Sequence, residues 1–144
     1  FKADCKECDV KSAWAYNCRF DEIALNNKLR TYSNGFATWF MPFKLRLKDV
    51  WDYASNITSS KRYLKYCVAT GAFTSTGNPS TSAESVYRFI NGEHDFTEDH
   101  TALSDARIEA AILLAAKAKH KKTRHGSRGQ GWRDASAAFK ALDL

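Results

Sequence analysis

The stretch Val-Lys-Ser-Ala-Trp-Ala-Tyr at residues 10–16 runs directly into Asn-Cys-Arg-Phe-Asp-Glu-Ile-Ala-Leu, with no glycine or proline between them. This junction constrains the fold more than any other part of the chain. The β-branched and aromatic residues of 10–16 read as a short buried strand. In residues 17–30, Phe20, Ile23 and Ala24 repeat at helical spacing, with Phe20 expected to turn towards the core. Asn17 stands at the join, where its side chain suits an N-cap that accepts an orphan backbone N–H. One readable strand is too few for a sheet that stands alone. Either further strands escape the pattern or they precede Phe1, and a first residue other than methionine points to the second.

Downstream the pattern is mostly helical. Asn34-Gly35 signals a turn or helix stop, and residues 37–47 are aromatic and broken by Pro42, an extended or edge segment. Residues 48–57 and 59–73 read as two helices, the first with Val50, Tyr53, Ala54 and Ile57 on one face. A loop over 74–82 ends in Thr81 and Glu84, a capping-box spacing before a helix that Asn91-Gly92 would stop. A long helix follows from about Thr101 to Lys119, and its Ala102, Ala106 and Ala110 would let it lie close to a sheet. After a glycine-rich break, residues 132–142 form a short amphipathic helix. The chain therefore divides into a body over 1–119 and a segment over 120–144, a basic arm with its terminal helix.

Charge is distributed as unevenly as structure. The chain of 144 residues has net charge +6 from 22 basic and 16 acidic residues. Seven of the basic ones fall between Lys117 and Arg133, a span with no acid, so the remainder is nearly neutral. Lys121, Lys122, Arg124 and Arg128 in this arm are expected to bind phosphates, since Lys and Arg neutralise them and release counterions. No stretch approaches the length of about 20 apolar residues that a membrane helix needs, and no signal peptide opens the sequence. The four cysteines, Cys5, Cys8, Cys18 and Cys67, lack framework spacing and suit reduced thiols in a cytoplasmic or otherwise intracellular domain. Cys5 and Cys8 with His120 and His125 give a weaker zinc reading, because the pairs lie far apart and structural zinc wants four ligands.

Two short segments carry chemistry. His100 and Asp105 would sit about 140° apart if both were helical, so they meet only if His100 precedes the helix and its loop folds back. Asn17 and Asp21 are four apart and share one helix face close to its start. Nearby Glu93, Asp95, Glu98 and Asp99 read as solvated acids. Trp39, Phe40 and Phe43 read as packing residues, with base stacking the sharper alternative; Trp132 in the arm is the better stacking candidate.

Asn-Cys-Arg-Phe-Asp at 17–21 resembles the second motif, Asn-x-x-Phe-Asp, of the DEDD-type 3′–5′ exonucleases of the DnaQ-like group. His-Thr-Ala-Leu-Ser-Asp-Ala at 100–106 resembles their third motif, His-x-Ala-x-x-Asp-Ala, which marks the histidine subclass. The motifs come in the family's order, and Leu-Lys-Asp-Val-Trp-Asp-Tyr-Ala at 47–54 stands where these proteins commonly have an Asp-led helix. The resemblance spans about residues 10–118 and implies an α/β, RNase H-like fold with a mixed sheet flanked by helices. It implies that Asp21 and Asp105 are ligands in a two-metal Mg²⁺ or Mn²⁺ site, oxygen donors being what hard divalent ions select. His100 would be the general base, a role that suits histidine's titration near neutrality. The implied substrate is the 3′ end of single-stranded DNA or RNA, released as nucleoside monophosphates, with Asn17 beside it.

The family's first motif, Asp-x-Glu on an opening strand, has no match here; Asp4, Glu7 and Asp9 lack the spacing. The chain is accordingly expected to be the C-terminal portion of the fold, with weak metal binding and poor cleavage on its own. The alternative is a non-catalytic nucleic-acid-binding module built on a degenerate exonuclease fold, and a zinc-stabilised adaptor is a third reading.

Overall fold

The computed structural model describes residues 1–37, 39–119 and 131–142. The arm residues Lys121, Lys122, Arg124 and Arg128, and the histidines of the zinc reading, His120 and His125, lie outside them. The described chain is α/β and mostly helical: α1 (Lys2–Glu7), β1 (Ser12–Ala15), α2 (Cys18–Tyr32), β2 (Arg46–Asp49), α3 (Val50–Thr58), α4 (Lys61–Thr70), α5 (Ala83–Asn91), α6 (Ala102–Lys119) and α7 (Gly131–Lys140). The expected strand in 10–16 is β1. The segment expected to be merely extended ends in β2, which pairs parallel to β1 with Ser12 opposite Arg46 and Ala15 opposite Asp49. Among the described residues the sheet has these two parallel strands and is not mixed. α1 has no counterpart in the sequence reading. Its six residues are mostly charged, and Cys5 alone among them is buried.

The core forms where four helices meet. Val50, Ala54 and Ile57 recur at helical spacing on α3 and pack with Tyr63 and Cys67 of α4, Val86 of α5, and Ile108, Ile112 and Ala116 of α6. Burying each large aliphatic side chain here contributes about 1.5–3 kcal/mol. α6 therefore turns its Ile108–Ile112–Ala116 stripe inward, against α3 and α5. Its small-residue stripe of Ala102, Ala106 and Ala110 is exposed and does not approach the sheet. The reason is energetic: isoleucines bury more apolar area than alanines, and the larger stripe takes the core. α7 lies against α3 and α4, with Ala135 fully buried, Ser136 Oγ donating to Asn78 Oδ1 at 2.7 Å, and Phe139 5.4 Å from Phe73.

Two expectations about helix starts are corrected. The cap of α5 is Ser82, whose hydroxyl accepts the Ser85 N–H at 3.2 Å. Thr81 is buried instead, and its carbonyl accepts the Tyr16 hydroxyl. Phe20 is 70% exposed and does not pin α2 to the core; the buried residues of that helix are Cys18 and Asn26. Asn26 is held there because its side-chain oxygen accepts the Phe40 N–H at 2.8 Å. At the other end of α5, Gly92 closes the helix in the left-handed conformation at φ 72°, as the Asn-Gly pair predicts.

Candidate active site

Parallel strands end on the same side of a sheet, so the turns that follow them converge there, and ligands of open α/β sheets gather at that edge. After β1 comes Asn17, which adopts the left-handed conformation at φ 57°, a region asparagine tolerates better than most residues. Its side chain makes no capping bond to α2. Its backbone N–H instead donates to Asp49 Oδ1 at 3.0 Å, across from β2. Asp49 Oδ1 also accepts the Trp51 N–H at 2.9 Å and so caps α3. One buried carboxylate thus joins the starts of α2 and α3, and Asp49 Oδ2 is buried without a hydrogen bond. Burial raises the Asp49 pKa, opposed by the N–H groups of Trp51 and Asn17 and by Cys18.

Asp21 follows one turn into α2 and is partly buried; contrary to expectation, Asn17, outside the helix and left-handed, does not share its face by helical spacing. Desolvation raises its pKa, with Asp49 adding like-charge repulsion. Tyr16, at the end of β1, sends its hydroxyl to the Thr81 carbonyl at 2.5 Å and stacks on Trp51 at 6.1 Å. Burial, then Asp49 and Glu109, hold that phenol well above its ordinary value.

The other half of the site comes from the start of α6. His100 lies outside the helix in the left-handed region at φ 55°, and the loop folds back over the first turn. One ligand atom each from Glu98, His100 and Asp105 lies within 4.8 Å of the others. His100 Nδ1 stands 3.8 Å from Glu98 Oε2, with the imidazole 79% exposed and the carboxylate 14% exposed. Glu98 is therefore no solvated acid. Desolvation raises its pKa first, and Asp105 raises it further. Asp105 is half-buried, and its Oδ1 is buried with no hydrogen-bond partner. Asp99, in contrast, is an exposed local acceptor for the Thr101 N–H at 3.1 Å, which holds its carboxyl below the ordinary value. Glu93 and Asp95 are exposed.

Glu109, one turn beyond Asp105, connects the halves electrostatically. Its pKa is pushed up to about 7, by burial first, and the charges of Asp21, Asp105 and Glu98 all contribute. Asp21 and Asp105 are thus close enough to act on one carboxyl, yet Asp21 is not within the tight cluster formed by Glu98, His100 and Asp105. Sequence reasoning passed over Asp49, Glu98 and Glu109 as site residues. Asp49 looked like an ordinary helix start, and Glu98 stood within an acidic run. Glu109 had a legible signal, since it lies four residues after Asp105 on the same face.

The donor chemistry fits a hard divalent cation. The converging groups are mostly carboxylates, two of them, Asp49 and Asp105, carry buried oxygens with no partner, and three, Asp21, Glu98 and Glu109, are driven towards protonation by burial and by repulsion from neighbouring acids. Such groups gain most from a nearby cation, which removes the repulsion and supplies the missing partner. No described helix is long and apolar enough to cross a membrane, and none of the four cysteines is in a disulfide; Cys5 is buried in α1 and Cys8 exposed beyond it. In comparisons with known proteins, no family model, no curated protein and no solved structure matches the chain.

Proposed function

We propose that the chain carries part of a metal-dependent 3′–5′ exonuclease site of RNase H-like type, releasing nucleoside monophosphates from the 3′ end of DNA or RNA. The observation that carries this reading is the start of α6, where His100 folds back onto a half-buried Asp105 whose Oδ1 has no partner, with Glu98 between them. The motif resemblance at 17–21 and 100–106 supplies the reaction class. Asp105 and Asp21 are the carboxylates that would hold Mg²⁺ or Mn²⁺, with Glu98 as an added donor beside Asp105. When bound, such ions stabilise the attacking and leaving oxygens of an in-line displacement at phosphorus.

The chain's own residues divide the remaining work. His100 is exposed enough to meet a water at the substrate and to accept its proton as the phosphodiester is attacked. Glu98, 3.8 Å from Nδ1, stabilises the imidazolium that results. Asp49 holds the turn that presents Asn17 and Asp21, through the Asn17 N–H. Lys121, Lys122, Arg124 and Arg128 would hold the strand's phosphates.

The test is mononucleotide release by the full-length protein from a single strand labelled at its 5′ end, with Mn²⁺, compared with its Asp105→Ala and His100→Ala variants. The proposal expects a ladder shortening one nucleotide at a time from the 3′ end, and a loss of at least a hundredfold in rate in each variant. Release that is indifferent to both substitutions, or oligonucleotide retention with no release, makes the chain a binding module instead.

A further inference from the structure

The two ends of the sheet carry opposite charge. The acids described above follow the carboxyl ends of β1 and β2, whereas Lys11, Lys44 and Arg46 stand at the amino ends. There a groove is lined by Lys11, Ser12, Lys44, Leu45, Arg46 and Lys48. Two further hollows share its residues: one, through Leu45, Arg46 and Lys48, reaches Trp39 and Met41, and the other, through Lys11, Lys44 and Leu45, reaches Phe43, Lys2 and Lys6. Two acids border this surface, Asp9, which pairs with Lys11, and Glu22 at the far side. The remaining cations have no carboxylate partner among the described residues; Lys44 lies over the exposed Phe43 ring at 5.6 Å and Lys48 over the Trp14 ring at 4.7 Å. Lys117 of α6 lies over the same ring at 4.9 Å, so α6 brings its basic end to this side and its acidic start to the other. The rise from Asp105 to Lys117 is about 18 Å.

Two further observations give the groove a ligand. Phe43 is 89% exposed and Trp39 is 56% exposed, one on each flank of the basic residues. Large exposed rings beside a cationic track suit unpaired bases, which every strand offers in series and which stack without sequence preference. Lys44 also occupies the left-handed region at φ 72°, in a turn closed by the Leu45 N–H donating to the Pro42 carbonyl at 3.1 Å. Glycine or asparagine is the usual residue at that turn position. A lysine there strains the backbone, and it lines the groove.

We infer that this groove at the amino end of the sheet binds single-stranded nucleic acid, with Lys44 and Arg46 on phosphates and Phe43 and Trp39 stacking on bases. It is a second contact surface, built from residues other than those of the acidic end. It rests on charge and exposure and stands whether or not the acidic end hydrolyses anything.

The experiment is fluorescence anisotropy of a labelled poly-dT oligonucleotide in EDTA, over a range of salt, with thermal melts as the folding control. Lys44→Gly combined with Arg46→Glu should weaken binding by at least about tenfold and lower the salt slope by about one to two. The fold should remain intact, because glycine relaxes the turn and Arg46 is exposed. Phe43→Ala should cost roughly tenfold with an unchanged slope, as loss of stacking without loss of charge does. Wild-type affinity in these variants overturns the inference, above all if Lys121, Lys122 and Arg124 to alanine abolishes binding instead. Preference for phosphatidylserine vesicles over the oligonucleotide, abolished by the same groove substitutions, also overturns it. Cleavage plays no part under EDTA, so failure of the exonuclease proposal would leave this result unaffected.

Discussion

Glu109 shows what burial does to a carboxyl among other carboxyls. Desolvation disfavours its charge, and Asp21, Asp105 and Glu98 add repulsion, so its folded pKa is pushed up to about 7 from the ordinary 4.5. Between those values the folded protein holds a proton that the unfolded chain has released. Stability is therefore highest below the unfolded value and falls as pH rises through the folded one. Asp21, Asp49 and Glu98 are shifted in the same direction and steepen the fall. In metal-free buffer, thermal melts should lose several degrees between about pH 5 and about pH 8. Glu109→Gln should recover part of that loss at the higher pH. Equal pH profiles for the two proteins would mean that Glu109 is solvated and outside the acidic cluster.

At the scale of elements, Asp49 bears most on how the site is assembled. It terminates β2, caps α3 through the Trp51 N–H and reaches the Asn17 N–H before α2, so one side chain sets the relation of three elements. Asp49→Ala removes both bonds in a residue that is 5% exposed. It should destabilise the protein by about 2 kcal/mol. Chemical denaturation would read this directly, and a change under about half a kilocalorie per mole would show that the α2–α3 junction holds itself. The helical elements were legible where apolar spacing and packing agree, as in Val50, Ala54 and Ile57. Phe20 and Ile23 had the spacing but not the burial, since periodicity marks a face without saying that anything covers it. β2 was not legible as a strand, because its four residues, Arg-Leu-Lys-Asp, gain their order by pairing with β1. The left-handed Asn17 was likewise hidden, since its conformation depends on a carboxylate 32 residues away. His100 and Asp105 could be named from the motif His-x-Ala-x-x-Asp-Ala and from a loop that had to fold back, whereas Glu98 joins them only through the fold of that loop.

Across the whole molecule, acids gather after the carboxyl ends of β1 and β2 and at the start of α6, and bases gather at the amino ends of the two strands. That separation suits a polyanion held at one end while a cation-dependent step occurs at the other, and each end can be disabled without the other. In the proposed function the acidic end holds a divalent cation, with Asp105 and Glu98 in one cluster and Asp21 as the added carboxylate. Titration of Mn²⁺ into the protein, followed by electron paramagnetic resonance of the free ion, measures this without substrate or turnover. The wild-type chain should take up Mn²⁺ saturably, Asp105→Asn should lose at least about tenfold in affinity, and Asp21→Asn should lose less. Uptake that is absent from the wild-type chain, or unchanged in Asp105→Asn, would contradict the cation site.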